Sequence, residues 1–213
     1  MANDLEKSVM DLIGENPDSP DIYTDDNIIE IRDLINDAIE EVCMVTGCHR
    51  QVWHVPLKDA CNFYQIPDSA DAFLWAESVW LYNSKRKLEQ KDFAGFNDQD
   101  YRWLLSTEGP FFYAILSYNK LCIFPASAGS ADTLEITGAA IPKRYEDDEE
   151  RIQLRESFLW SVTHRVVSEW WAMRGDARTA MYHWQQYVDK IKLPGMYPET
   201  AERKWKWQGR LHG

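Results

Sequence analysis

Five potential metal ligands, Cys43, Cys48, His49, His54 and Cys61, fall within nineteen residues, and zinc accepts all of these side chains. The compact C-x2-C spacing that would gather them is missing, and Cys43 continues the apolar spacing of a helix. A buried cysteine beside ordinary histidines, with no metal site, fits better. Nucleophilic catalysis needs an activated nucleophile with a base in reach. The chain has no G-x-S-x-G elbow and no local cysteine-enzyme signature. Neither G-x-x-x-x-G-K-[ST] nor G-x-G-x-x-G occurs, so neither familiar phosphate loop is present. His164 stands on an aromatic helix face, where a core or interface histidine is commoner than a base. Glu156 and Glu169, or a pair from the run Glu146-Asp147-Asp148-Glu149-Glu150, would suit a glycosidase couple, but nothing selects them over solvated carboxylates. The expectation is a protein without catalytic residues, metal or cofactor.

The C-terminal stretch is different. Arg203, Lys204, Trp205, Lys206 and Trp207 interleave cations with indoles in a segment too short to build its own core. Three readings fit: docking into a partner groove with an acidic rim, stacking on single-stranded nucleic acid, or folding back onto the chain's own helices.

The elements that must position these groups follow from periodicity. Leu5, Val9, Leu12 and Ile13 mark a short amphipathic helix over residues 4–13, which Asn16 to Pro20 ends. Thr24 offers an N-cap, and Ile28, Ile31, Ile35, Ile39 and Val42 recur at helical spacing up to Gly47, predicting a helix over 25–47. The period then changes. Trp53, Val55 and Leu57 alternate with Val52, His54 and Pro56 as a strand, and Phe73 to Tyr82 reads as another. Lys85 to Lys91 reads as its lysine-rich return, and Asp98 to Leu105 as a short helix. Residues 112–118 and 121–125 flank Asn119-Lys120 as a hairpin. Thr133 to Thr137 alternates, and Gly138 to Pro142 reads as leaving the sheet.

A second helix is predicted from about Asp148 to Arg174. Ile152, Leu159, Val162, Val166, Trp170 and Met173 make one stripe, and Trp160, Val167 and Trp171 a second. So wide an apolar arc requires burial on more than one side, at a bundle centre or against a neighbouring subunit. Gly175 ends this helix and Asp176 caps the next, over 176–192, whose inner face is read as Ala177, Ala180, Trp184, Tyr187, Val188 and Ile191. The fold class expected is mainly α with a β-rich insertion: an antiparallel helical bundle interrupted by a small antiparallel sheet over about 51–142. An acidic segment, 1–24, precedes this domain of residues 25–192, and a basic aromatic tail, 193–213, follows it.

The net charge of −12 is unevenly placed: residues 1–150 carry −17 and residues 151–213 carry +5. The division suits a charge-complementary partner, and the overall acidity argues against gripping DNA by its phosphates. The chain is 45% hydrophobic with ten tryptophans, enough for a sizeable core and extensive packing. No run approaches the ~18 apolar residues of a membrane span. The opening MANDLEKSVMDLIGE lacks a signal-peptide core, so free thiols in a reducing cytoplasm are expected.

The order of segments carries a resemblance. IRDLINDAIEEV leads to VWHVPL and FYQIP; DYRWLL precedes FFYAILSYNKLCIFPASAGSADTLEITGAAIP; an acidic turn opens the closing helical hairpin. Over about residues 5–192 the chain resembles the head-to-tail adaptor (connector) proteins of tailed bacteriophages, of the portal-attached type. The resemblance implies a non-enzymatic virion protein, assembled as a ring of twelve subunits beneath the portal protein. That ring extends the DNA channel and carries tail or nozzle proteins, with encapsidated DNA passing through without specific binding and no membrane involved. It further implies that residues Arg203 to Trp207 bind the portal and that Trp160, Val167 and Trp171 pack between subunits. The acidic residues 1–26 have no counterpart role in the family. A head-closure or tail-completion protein, a cytoplasmic assembly factor and a cell-wall hydrolase remain as alternatives.

Overall fold

A computed structural model describes residues 2–14, 25–67, 71–99, 103–105, 109–117, 119–127, 132–145, 154 and 156–192. The chain divides into two compact units, one of Met1–His49 with Ile141–Gly213 and the other of Arg50–Ala140.

The first unit is helical. α1 (Ala2–Ile13) and α2 (Asp25–Thr46) come from the N-terminal piece, and α4 (Glu156–Met173) and α5 (Ala177–Ile191) from the C-terminal piece. α4 packs against α1, α2 and α5 together. Its wide apolar arc is thereby explained: Phe158, Val162, Val166, Val167 and Trp170 are all buried. Ile31, Ile35, Ile39 and Val42 form the buried stripe of α2, while Leu5, Val9, Met10 and Ile13 form that of α1. α1 thus belongs to the packed unit, despite its acidic character. One of its acids, Glu6, is itself buried and bonded to Arg32 Nε at 2.8 Å. α4 is described from Glu156, with residue 154 in a bend; residues 148–153 and 155 of the expected helix lie outside the described residues. The acidic run 146–150 lies outside the described residues.

The second unit corrects the expected fold class. In place of a helical bundle with a small antiparallel insertion, the protein is α+β, with five α-helices and two four-stranded sheets among the described residues. β1 (Arg50–Pro56), β8 (Thr133–Ile141), β3 (Ala72–Leu81) and β4 (Arg86–Lys87) form one sheet, in the order β1-β8-β3-β4. β2 (Phe63–Gln65), β7 (Lys120–Phe124), β6 (Phe112–Ser117) and β5 (Glu89–Gln90) form the other, in the order β2-β7-β6-β5. The second sheet is mixed, since β5 runs parallel to β6. Both sheets contribute to a single core that includes Trp53, Val79, Leu134 and Ile136 with Tyr64, Leu121 and Ile123.

Three local expectations change for physical reasons. Residues 85–91 are not one returning strand. Leu88, apolar in a polar run, is buried in the core, its N–H donates to the Val79 carbonyl at 2.8 Å, and the chain passes from one sheet to the other around it. The short helix expected over 98–105 is instead α3 (Phe93–Gln99) and a separate 3-10 turn (Trp103–Leu105). α3 is held by Phe96, fully buried 5.7 Å from the Phe124 ring. Finally, Gly138 does not lead out of the sheet. β8 continues to Ile141, and the missing side chain at Gly138 makes room for the backbone of Trp75 and Ala76.

Candidate functional site

Among the described residues, the exposed aromatics of the first unit, Trp160, Tyr182 and Trp184, lie on the α4–α5 hairpin. Its turn is set by Gly175, at φ +81°, and by the Asp176 N–H, which reaches the Trp171 carbonyl at 3.0 Å and closes the last turn of α4. Asp176 then caps α5. Its carboxylate accepts from the Thr179 N–H at 3.1 Å and the Thr179 hydroxyl at 2.8 Å, and those bonds hold its pKa below the usual carboxylate value. The two helices lie close because small side chains face the seam: Ser168 Oγ donates to the Ala180 carbonyl at 2.9 Å.

An aromatic row crosses this hairpin. Trp160, 52% exposed, lies 6.3 Å from the His164 ring. His164 lies 5.3 Å from His183, whose other side meets exposed Tyr182 edge-on at 5.1 Å. The two imidazoles share a hydrogen bond, Nδ1 to Nδ1, at 3.0 Å. Burial, then the neighbouring His183 and Lys190, push His164 down to about 4, and burial lowers His183 as well. Both rings are therefore neutral at physiological pH, and the row presents an uncharged aromatic surface.

Arg165 organises another set of contacts on the same hairpin. Its Nε donates to Glu41 at 2.7 Å, its Nη1 pairs with Glu169, and its guanidinium lies 5.5 Å from the Trp184 ring. Tyr187 adds a 2.7 Å bond to the other Glu41 oxygen. Burial opposes the Arg165 charge, but Glu41 and Glu169 outweigh it and raise its pKa. Glu169 is thus a structural ion-pair partner. The inner face of α5 is corrected accordingly: Ala180, His183, Tyr187 and Ile191 are buried, whereas Ala177 is exposed and Trp184 is 40% exposed beside Arg165. His183 was missed because the sequence gives no sign that His164 would meet it.

The three interface candidates occupy unlike environments. Trp160 is exposed, Trp171 is half-buried and Val167 is fully buried. The indole N–H of Trp171 is buried with no hydrogen-bond partner. The portal-binding candidates Arg203, Lys204, Trp205, Lys206 and Trp207 lie outside the described residues.

The five candidate metal ligands do not converge. His54 pairs with Glu135 at 3.5 Å and packs on Tyr82; Cys61 donates to the Phe63 carbonyl; Cys43 and Cys48 approach each other to 3.8 Å; His49 is buried. Among the described residues no group of three His, Cys, Asp or Glu side chains is arranged to hold a metal ion, and no helix is long and apolar enough to cross a membrane.

No curated protein matches the chain. The family model of the SU10 adaptor protein, by contrast, matches residues 2–211, nearly the whole sequence. With a match of that extent, the chain belongs to the SU10 adaptor protein family and is, at that level, a structural head–tail adaptor of a phage.

Proposed function

We propose that this adaptor forms a homo-oligomeric ring of twelve subunits beneath the portal protein, extends the channel through which DNA passes, and presents the platform on which tail or nozzle proteins assemble. The observation that carries this reading is the family match over residues 2–211. In this reading the protein is a virion component made in the host cytoplasm, and it acts by binding rather than by catalysis. Portal attachment falls to Arg203, Lys204, Trp205, Lys206 and Trp207, whose indoles anchor in an apolar groove while the cations meet an acidic rim. Contacts between subunits fall to the stripe of Trp160, Val167 and Trp171. Trp160 supplies its exposed part, Trp171 its half-buried edge and Val167 its buried footing. A solvent-facing tryptophan beside a neutral histidine pair offers a large apolar contact with no charge to desolvate.

The test is the mass of the purified protein alone and after mixing with a portal ring from the same phage. A chain that joins the ring stoichiometrically supports the adaptor reading. Replacing Trp205 and Trp207 by alanine abolishes the association while leaving the subunit folded. No association of the native chain with the portal sinks the reading, and association that survives the double replacement sinks the role of the tail.

A further inference from the structure

We propose that Cys48 and Cys43 form a redox-active thiol pair whose substrates are low-molecular-weight disulfides, with Cys48 as the attacking thiol and Cys43 as the resolving thiol. The proposal rests on the end of α2 and not on the adaptor reading.

A separation of five residues does not by itself bring two side chains together on a helix. Here the helix ends between them. Gly47 takes the left-handed conformation at φ +62°, which a side chain would strain, and its N–H closes on the Cys43 carbonyl at 2.8 Å. The chain thereby folds Cys48 back over the last turn. Thr46 secures the fold-back. Its hydroxyl donates to the Val42 carbonyl at 2.6 Å and accepts from the Cys48 N–H at 3.2 Å. The result is an Sγ–Sγ distance of 3.8 Å, with no disulfide between them. A disulfide requires about 2 Å between sulfurs; the two sulfurs already stand in contact, short of that distance.

The two thiols differ as a reacting pair must. Cys43 is fully buried, while Cys48 is partly exposed and reachable by a small oxidant. The contact with Cys43 favours the Cys48 thiolate, burial opposes it, and Thr46, the Cys48 backbone and His49 add to the first, leaving the Cys48 thiol at about 7. A large thiolate fraction therefore exists at neutral pH. Cys122, buried in the second unit, is pushed up to about 12 and stays a thiol.

The chemistry balances without any further reactant. The Cys48 thiolate attacks one sulfur of the small disulfide, forming a mixed disulfide and releasing one thiolate. The Cys43 thiol gives up its proton and attacks Cys48 Sγ, which forms the intramolecular disulfide and expels the second thiolate. Two protein thiols are oxidised, one small disulfide is reduced, and the two protein protons end on the two small thiols. In a reducing cytoplasm the same exchange runs backward and keeps the pair reduced.

The probe is oxidised glutathione, applied to the full chain at neutral pH, with acid quenching, alkylation and tryptic peptide mass mapping. Residues 33–50 contain no internal lysine or arginine, so both cysteines fall in one peptide. Expected is a peptide lighter by two hydrogens and closed to alkylation. The Cys43→Ala variant halts with glutathione retained on Cys48, and Cys48→Ala leaves Cys43 unmodified. Cys61, also partly exposed, is the internal comparison and forms no cross-link with this peptide. The proposal is overturned if both thiols of the peptide stay open to alkylation once Cys61 carries glutathione, or if Cys43 reacts in the Cys48→Ala protein. Should Cys43→Ala fail to fold, the native peptide mass and the Cys48→Ala protein decide the matter.

Discussion

The two units solve the same problem, fixing one arrangement of secondary structure, by different means. The β unit is one uninterrupted stretch of chain, Arg50–Ala140, and its register is set by backbone ladders around an apolar core. The helical unit is assembled from the two ends of the sequence. Helices have no ladder between them, so side chains must join the pieces. Asn36 bonds both backbone groups of Tyr145, 109 positions away, at 3.1 Å each. The Tyr145 hydroxyl donates to Glu6, burial and that carboxylate raising its pKa, and Arg165 and Tyr187 converge on Glu41. Apolar packing alone tolerates sliding between helices; buried polar bonds at fixed positions do not. The comparison teaches that sensitivity should lie in the backbone fit of one unit and in the side-chain polar bonds of the other.

The largest effect is expected where the β unit has no room. A methyl group at Gly138 would overlap the Trp75 carbonyl, an atom of a neighbouring strand's backbone that cannot swing aside. Gly138→Ala is expected to cost about 3 kcal/mol or more. Hydrogen exchange read by peptide should show lost protection across residues 50–140. Loss confined to the helices would break the distinction between the units.

Next comes the polar clasp. Asn36→Ala strands the buried N–H and carbonyl of Tyr145 and is expected to cost about 2 kcal/mol. Urea unfolding followed by exchange should place the loss in α1, α2, α4 and α5. An unchanged midpoint would show that apolar contacts alone fix the helical register. Arg165→Met is expected to cost less, about 1–2 kcal/mol, because the guanidinium keeps some solvent contact. A double-mutant cycle with Tyr187→Phe checks it. Both side chains share Glu41, so strict additivity would contradict the network.

The same contrast explains what was legible in the sequence. α2 and α5 declare themselves because a helix writes its burial every three or four residues, as at Ile31, Ile35 and Ile39, and because Gly47, Gly175 and Asp176 mark ends by local rules. The hairpin of β6 and β7 is equally local. The second sheet was missed because β2 has three residues and β5 two, too few for alternation to register, while their partners lie elsewhere in the chain. Leu88 carried the one available signal, an apolar residue in a lysine-rich run. The site was less readable still. The His164–His183 bond and the Cys43–Cys48 approach depend on how helices and caps bring distant side chains together, and no sequence spacing announces either.

The smallest expected effect concerns acid, and it tests whether the polar contacts of the helical unit act as a set. The His164 ring faces His183 and Lys190, and its pKa falls from 6.5 in an unfolded chain to about 4 in the fold, chiefly through burial. Between those values the unfolded chain binds a proton that the folded one refuses. Stability is therefore full above about 6.5 and is lost as pH falls towards 4. Partial exposure of the ring screens the effect, so the loss expected is about 1 kcal/mol. Urea midpoints measured from pH 7 to pH 4 should fall more in the native chain than in His164→Gln, which cannot be protonated. Equal slopes would mean that the imidazole pair adapts on protonation, and the helical unit would then be less rigidly specified by its polar contacts than the β unit is by its ladders.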